Sequence, residues 1–267
     1  MSNSLNTSIK TGVIIGEKVT IGDGVNSSFR CPVYYDNNEI IVVAKKIDDK
    51  EFVAELFCSI IGLNIGLPLP EPIVVLEKLE TGKFDRYFGS VDTGYPSLKR
   101  YVSADDWKYM SFHETIKKWI FLDDAAFFDE LIVNADRHKG NILYDGDNYY
   151  LIDHGLAFNI ENQFKPDQPL NNDNILLNHS LCRLANKCNC KKRSPIKLSN
   201  KLHEWVNNII TNEIIENSYK SISLFDIDKK YQSDVLSFLL KRSKLIERIL
   251  NSIINPHQMD FVNNAEL

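Results

Sequence analysis

Asn134-Ala-Asp-Arg-His-Lys-Gly-Asn-Ile-Leu143, followed by Asp153-His-Gly155, is the stretch that decides the fold. It sets a carboxylate at Asp136, an amide at Asn141 and a second carboxylate at Asp153. Between them lie two short apolar runs, 141–144 and 149–153, separated by Asp145-Gly-Asp-Asn148. Asp-Gly between apolar runs is a strong turn signal. A hairpin is therefore predicted that returns Asp153 to the side of Asp136 and Asn141. Transfer of a phosphoryl group from a nucleoside triphosphate needs such a set. One carboxylate orients and deprotonates the attacking hydroxyl, and hard oxygen ligands hold Mg²⁺ on the phosphates. The plainer alternative is a surface hairpin whose acids and amides only make turns; the order of the motifs around it argues for chemistry.

Working outward toward the N-terminus, Ser111-Phe-His-Glu114 forms a capping box, in which the two side chains satisfy each other's orphan backbone N–H groups. It opens an apolar helix through Trp119, Phe121, Leu122, Phe127, Phe128 and Leu131, expected to be core that supports the loop at 134. Residues 80–110 mix Gly, Pro, Asp and aromatics without a period and predict no element. Residues 71–76 read as a strand and 48–63 as a helix, its apolar residues recurring at helical spacing. Glu51 and Glu55 sit one turn apart on that helix. Before it, Glu39-Ile-Ile-Val-Val-Ala-Lys-Lys-Ile47 is the clearest strand in the chain. A lysine at its end can pair with nucleotide phosphates. Period-two alternation puts Lys45 and Lys46 on opposite faces, and the residues alone leave the choice between them open. Earlier still, strands at 11–20 and 29–35 flank Ile21-Gly-Asp-Gly-Val-Asn-Ser-Ser28. A turn of that composition can lay N–H groups over phosphates, which makes Gly24, Ser27 and Ser28 candidates for nucleotide binding.

After Asp153-His-Gly comes a polar stretch with Pro166 and Pro169, the place of an activation or substrate loop. His179, Cys182, Cys188 and Cys190 cluster in sequence, but their spacing fits no common zinc module. Residues 198–219 and 227–254 read as two further amphipathic helices. Among 267 residues, 43% are apolar and 25% charged, with a net charge of −5. That balance suits a globular protein and gives no reason to expect nucleic acid as a partner. No stretch approaches the ~18 apolar residues of a membrane span, the first residues carry no apolar core of signal-peptide length, and the five cysteines form no regular framework. A cytoplasmic protein with no membrane partner is expected.

Asp136-Arg-His-x-x-Asn141 with Asp153-His-Gly155 resembles the catalytic loop and metal motif of HipA-like kinases, and is similar to that of the phosphoinositide kinases. In the commoner protein kinases His and Arg precede the Asp; here they follow it. The resemblance covers most of residues 12–158. It implies that Asp136 is the catalytic base and that Asn141 and Asp153 bind Mg²⁺. His138 is a candidate to hold the loop by a hydrogen bond or to touch the γ-phosphate, with a satisfied core histidine as the plain alternative. The resemblance favours Lys45, at the end of a hydrophobic run, whereas a Val-Ala-Ile-Lys pattern would select Lys46. It favours Glu51 as the partner of that lysine. It further implies ATP as the phosphoryl donor, a protein substrate, and a cognate antitoxin or regulator. The family's autophosphorylated serine would correspond to Ser27 or Ser28.

The fold expected is α+β and two-lobed, like a protein kinase. An N-lobe at 11–95 holds a small antiparallel sheet with one helix, and a mainly helical C-lobe occupies 96–255. Residues 1–10 are expected to be disordered and 256–267 to form a flexible tail. The expected reaction is MgATP-dependent transfer to Ser or Thr of a protein. A small-molecule or lipid kinase, a nucleotide-binding pseudokinase that acts as a partner-binding module, and transfer of AMP on the same scaffold are the alternatives.

Overall fold

The computed structural model describes residues 9–21, 28–101, 116, 118–158, 165–170 and 195–254. The expectations for the N-terminus to residue 8, for Gly24 and Ser27, for the capping box at 111–114, for the His179 and cysteine cluster and for the tail lie outside the described residues.

Six strands, β1 (Lys10–Ile14), β2 (Val19–Ile21), β3 (Ser28–Tyr35), β4 (Asn38–Lys45), β5 (Pro72–Lys78) and β6 (Phe84–Val91), form one sheet in the order β1-β5-β6-β4-β3-β2. Because β1 also pairs with the second half of β3, through Val13 opposite Tyr34 and Ile14 opposite Val33, five of the strands close into a small barrel. Alternation fills it: Phe29, Cys31 and Val33 of β3, Val42 and Ala44 of β4, Ile73 and Val75 of β5, and Tyr87 of β6 form its core. The sheet is therefore not purely antiparallel, as the sequence suggested. Each pairing from β3 through β4 and β6 to β5 is antiparallel. An odd strand closing that ring must run parallel to one neighbour, and β1 runs parallel to β5. The single strand expected over 11–20 is two, β1 and β2, on either side of residues 15–18.

Strand β6 carries no clean period because Gly89 interrupts it. A Cβ there would lie 2.6 Å from Val75 Cγ2, so the close approach of β5 and β6 excludes the side chain that would have marked the strand.

Helix α1 (Asp49–Asn64) starts at Asp48, whose side chain accepts N–H bonds from Lys50 and Glu51, a normal N-cap. It covers the outer face of the barrel, where Phe52 meets Phe88 edge to face at 6.0 Å between ring centres. The same core runs on without a break into the C-terminal half. There α2 (Leu122–Leu131) precedes a hairpin of β7 (Ile142–Tyr144) and β8 (Tyr149–Leu151), with Ile142 opposite Leu151, as Asp145-Gly146 predicted. Two bonds tie the hairpin to the N-terminal half: Tyr144 N–H to Pro96 O, 3.1 Å, and Leu151 N–H to Pro68 O, 3.0 Å.

The remaining helices are α3 (Pro195–Glu204), which runs into a π-helical turn at Trp205–Ile209, α4 (Asn212–Ile222), α5 (Lys229–Ser243) and α6 (Ile246–Ile254). Each of the two long helices read from periodicity is thus broken once. Thr211 caps a new start for α4 by accepting from Ile214 N–H, and the chain turns at Lys244 between α5 and α6. Among the described residues no helix is long and apolar enough to cross a membrane.

Candidate active site

The loop from α2 to β7 begins with a strained turn. Val133 has φ 55°, a conformation that a β-branched residue adopts at a cost of about 1–3 kcal/mol. Its N–H bonds to Glu130 O at 3.2 Å and Asn134 N–H bonds to Asp129 O at 2.9 Å, the two closures of a Schellman helix end. Glycine is the usual residue at that position; the valine is held there by complete burial.

Arg137 then turns inward and is wholly buried. Its Nε donates to Asp129 Oδ2 at 2.9 Å and Nη2 to Asp129 Oδ1 at 3.0 Å, while Nη1 donates to Asn141 O at 2.7 Å and to Ile152 O at 2.8 Å. One guanidinium therefore ties the helix end to both strands of the hairpin beside Asp136, Asn141 and Asp153. Asn134 Nδ2 also donates to Asp129, at 3.1 Å.

Asp136 points outward, with its side chain 41% exposed. Asn141 is buried, and its Nδ2 donates to Asp136 O at 3.0 Å and to Asp136 Oδ2 at 3.1 Å. Its Oδ1 has no hydrogen-bond partner among the described residues. His138 is exposed; its Nδ1 accepts Gly140 N–H at 3.0 Å, so a neutral ring carries its proton on Nε2, 3.9 Å from Asp136 Oδ2. This cap requires Gly140, because a Cβ there would fall 2.7 Å from the imidazole Cε1.

Asp153, at φ 61°, projects from the other strand of the hairpin and accepts from Lys45 Nζ at 2.6 Å. Lys45 Nζ is also 2.5 Å from Glu55 Oε1. Alternation explains why Lys45 and not Lys46 is there: Val42 and Ala44 face the barrel core, so Lys45 points to the face covered by α1. Lys46 is 63% exposed and pairs with Asp85 at 2.6 Å. The glutamate is likewise Glu55 rather than the Glu51 that the resemblance favoured. Glu55 is buried beneath the sheet, whereas Glu51, one turn earlier, passes beside Gly155. Ser28 is paired in register with Lys45 across β3 and β4.

Burial opposes the Lys45 ammonium, yet the carboxylates of Glu55 and Asp153 outweigh it and hold its pKa above the ordinary lysine value. Burial likewise opposes the Glu55 carboxylate, and Lys45 and His154 together hold its pKa well below the usual range. His154, the middle residue of the Asp153-His-Gly155 motif, links the two halves of the site. Its backbone N–H donates to Glu55 Oε2 at 3.1 Å, and its Nε2 lies 2.8 Å from Arg137 Nη2. Arginine has no acceptor, so Nε2 accepts and the ring proton sits on Nδ1, which faces Glu55. Burial, with Arg137 beside it, lowers the His154 pKa. Asp129 was missed, although an acid directly after Phe127-Phe128, on a helix whose aromatic residues are core, was a signal that it serves a buried partner.

A family model for HipA-like kinases matches residues 14–212. The chain belongs to the HipA-like kinase family. No curated protein sequence matches it. Among solved structures, this HipA-like kinase is similar to the Helicobacter pylori proinflammatory kinase CtkA, at 13% identity and a TM-score of 0.52, over 91% of this chain and 96% of the other. At that identity the likeness concerns the fold.

Proposed function

We propose that this HipA-like kinase binds MgATP between a barrel-bearing N-lobe and a helical C-lobe and transfers the γ-phosphoryl group to a Ser or Thr hydroxyl of a protein. The observation that carries the reading is the contact of Lys45, on β4, with Asp153, across 108 residues of sequence. It brings a phosphate-binding cation to the carboxylate end of the hairpin.

The donor set fits a magnesium ion. Asp153 offers a half-exposed carboxylate and Asn141 an amide oxygen with no hydrogen bond among the described residues. Mg²⁺ takes one or two protein oxygens and completes its shell with phosphates and water. When bound, the ion neutralises charge on the β- and γ-phosphates. Lys45, steadied by Glu55, orients the phosphates. Asp136, held by Asn141 Nδ2, accepts the proton of the attacking hydroxyl. His138, with Nε2–H toward Asp136, supports that carboxylate. Arg137 keeps the two halves of the hairpin in register.

Ser28 pairs in register with Lys45, and with Ser27 before it in a glycine- and serine-rich stretch of sequence it is offered as an acceptor for self-modification. The test is intact mass after incubation with ATP and Mg²⁺, for wild type, Asp136→Asn and Asp153→Ala. A gain of phosphate in wild type alone is expected, with peptide mapping to residues 22–30. A gain of AMP mass would replace the reading with nucleotidyl transfer. Wild type inert toward itself, toward dephosphorylated casein and toward water would end it.

A further inference from the structure

Beside the loop clamp lies a second buried ion pair that the reaction as described does not use. Glu130, the neighbour of Asp129 on α2, and Arg242, on α5, are both wholly buried. Arg242 Nη2 donates to Glu130 Oε1 at 2.9 Å and its Nε to Glu130 O at 3.0 Å. Its Nη1 reaches away from the helix and donates to Pro166 O at 2.9 Å and to Gln168 O at 2.7 Å. Glu130 Oε1 in turn accepts Leu170 N–H at 2.8 Å. Three backbone groups of one short segment are thus satisfied by a single charged pair drawn from helices 112 residues apart.

The other end of the same stretch is tied nearby, since Phe158 N–H donates to Ile132 O at 2.7 Å. The chain that leaves Asp153 and the chain that arrives at Leu170 therefore meet the last turn of α2 two residues apart. Two acids at a helix C-terminus oppose the helix dipole, and burial raises the Glu130 pKa despite the arginine and the Leu170 N–H. Burial also lowers the Arg242 pKa, to about 10, against the pull of Glu130. An apolar pair of similar volume would fill the space without these costs. What it could not do is hold two carbonyls and an N–H of the segment at fixed points.

We infer that Glu130 and Arg242 are positioning residues that fix the segment 165–170 as the platform for the protein acceptor, on the same end of α2 whose Asp129 holds the loop of Asp136 through Arg137. This rests on the kinase reading. The bonds that hold the segment run from Glu130 and Arg242, whereas those that hold Lys45 run to Glu55 and Asp153.

The test uses the full chain with three substitutions: Arg242→Lys, Arg242→Met, and the double variant Glu130→Gln/Arg242→Met, which leaves no buried charge unpaired should Arg242→Met alone fail to fold. Hydrogen exchange is read at 165–170, alongside MgATP affinity, hydrolysis of MgATP to water, and KM for dephosphorylated casein. In the double variant, exchange at 165–170 should rise at least about tenfold, and KM for casein should rise about tenfold or more. MgATP affinity and hydrolysis should stay within about twofold. Arg242→Lys should restore folding but not KM, because an ammonium cannot span both carbonyls and the carboxylate. Unchanged exchange at 165–170 would overturn the anchoring, and freed exchange with unchanged KM would overturn the acceptor role. Wild type inert toward both casein and water would overturn the kinase reading and with it the acceptor role, while exchange would still judge the anchor.

Discussion

Inside the barrel, Val33, Val42, Ile73 and Val75 pack against one another and against the Phe29 and Tyr87 rings, and alternation along each strand is enough to put them there. Around the hairpin the arrangement is of another kind. Arg137, buried to the same degree, satisfies a carboxylate, two carbonyls and an imidazole at once. The barrel is held by apolar area, which is additive and tolerant of small changes in shape. The hairpin is held by a polar network, in which each partner is costly to leave alone. The site stands where the two meet, with Lys45 supplied by the first and Asp153 by the second.

The largest break in this comparison is expected at Arg137. Arg137→Met leaves Asp129 buried without its counter-ion and frees two carbonyls, so stability should fall by about 3–5 kcal/mol. The loss is read from urea unfolding, and phosphoryl transfer should vanish in the fraction that stays folded. Arg137→Lys should recover little, since one ammonium cannot reproduce a bidentate fork. A change below about 1 kcal/mol would mean that the guanidinium is ornamental.

Lys45→Met comes next, and its effect falls on chemistry. Loss of the charge that orients the phosphates should lower kcat/KM by about 10²–10³-fold. Some stability is lost too, because Glu55 stays buried, and the double variant Lys45→Met/Glu55→Gln should recover that stability while remaining inactive. By contrast Val75→Ala, in the barrel, should cost about 2 kcal/mol of stability and leave kcat within about twofold. An equal loss of kcat would show that the barrel is not mechanically separate from the site.

The pH dependence sharpens the same contrast. The Glu55 pKa is lowered in the folded protein, so the unfolded chain binds the proton first as pH falls. Its contribution is complete above the unfolded value of about 4.3 and is lost as pH drops toward the folded value. Glu130, whose pKa is raised, works the other way, losing stability as pH rises through the range above about 4.3. Urea midpoints measured from about pH 3 to 7 should therefore rise less steeply below about pH 4.3 in Glu55→Gln, and rise more steeply above about pH 4.3 in Glu130→Gln. Identical profiles for the two variants would refute the assignment.

These differences also explain what could be read from the chain beforehand. Strands β3 and β4, helix α1 and the hairpin carry their own local pattern, and so do Asp136, Asn141 and Asp153 through their spacing. Strand β6 was hidden because Gly89 removes one beat of its alternation, and closure of the barrel by β1 depends on a pairing that no local pattern encodes. Glu55 could not be separated from Glu51 on helical spacing alone; the choice depends on which turn of α1 lies under Lys45. His154, Asp129 and the Glu130–Arg242 pair act through contacts between distant segments. Only Asp129 and Glu130, acids set between Phe127-Phe128 and Leu131, carried a mark in advance.

The smallest predicted effect is the one that separates the adjacent lysines. Lys46 continues the alternation of Val42 and Ala44, but β4 has ended, so its side chain emerges at the mouth of the barrel. There its ammonium pairs with Asp85 and lies 5.7 Å from the centre of the Tyr87 ring. An exposed pair of this kind contributes about 0–1 kcal/mol and is screened by salt. Lys46→Met should therefore shift the urea midpoint only slightly, less so at high salt, and leave MgATP affinity within about twofold. Lys45→Met, one residue away, should weaken that affinity markedly under the same conditions. If the two variants bound MgATP equally well, the face of β4 beneath α1 would not be the phosphate side, and the carboxylates gathered around Lys45 would be a structural pair only.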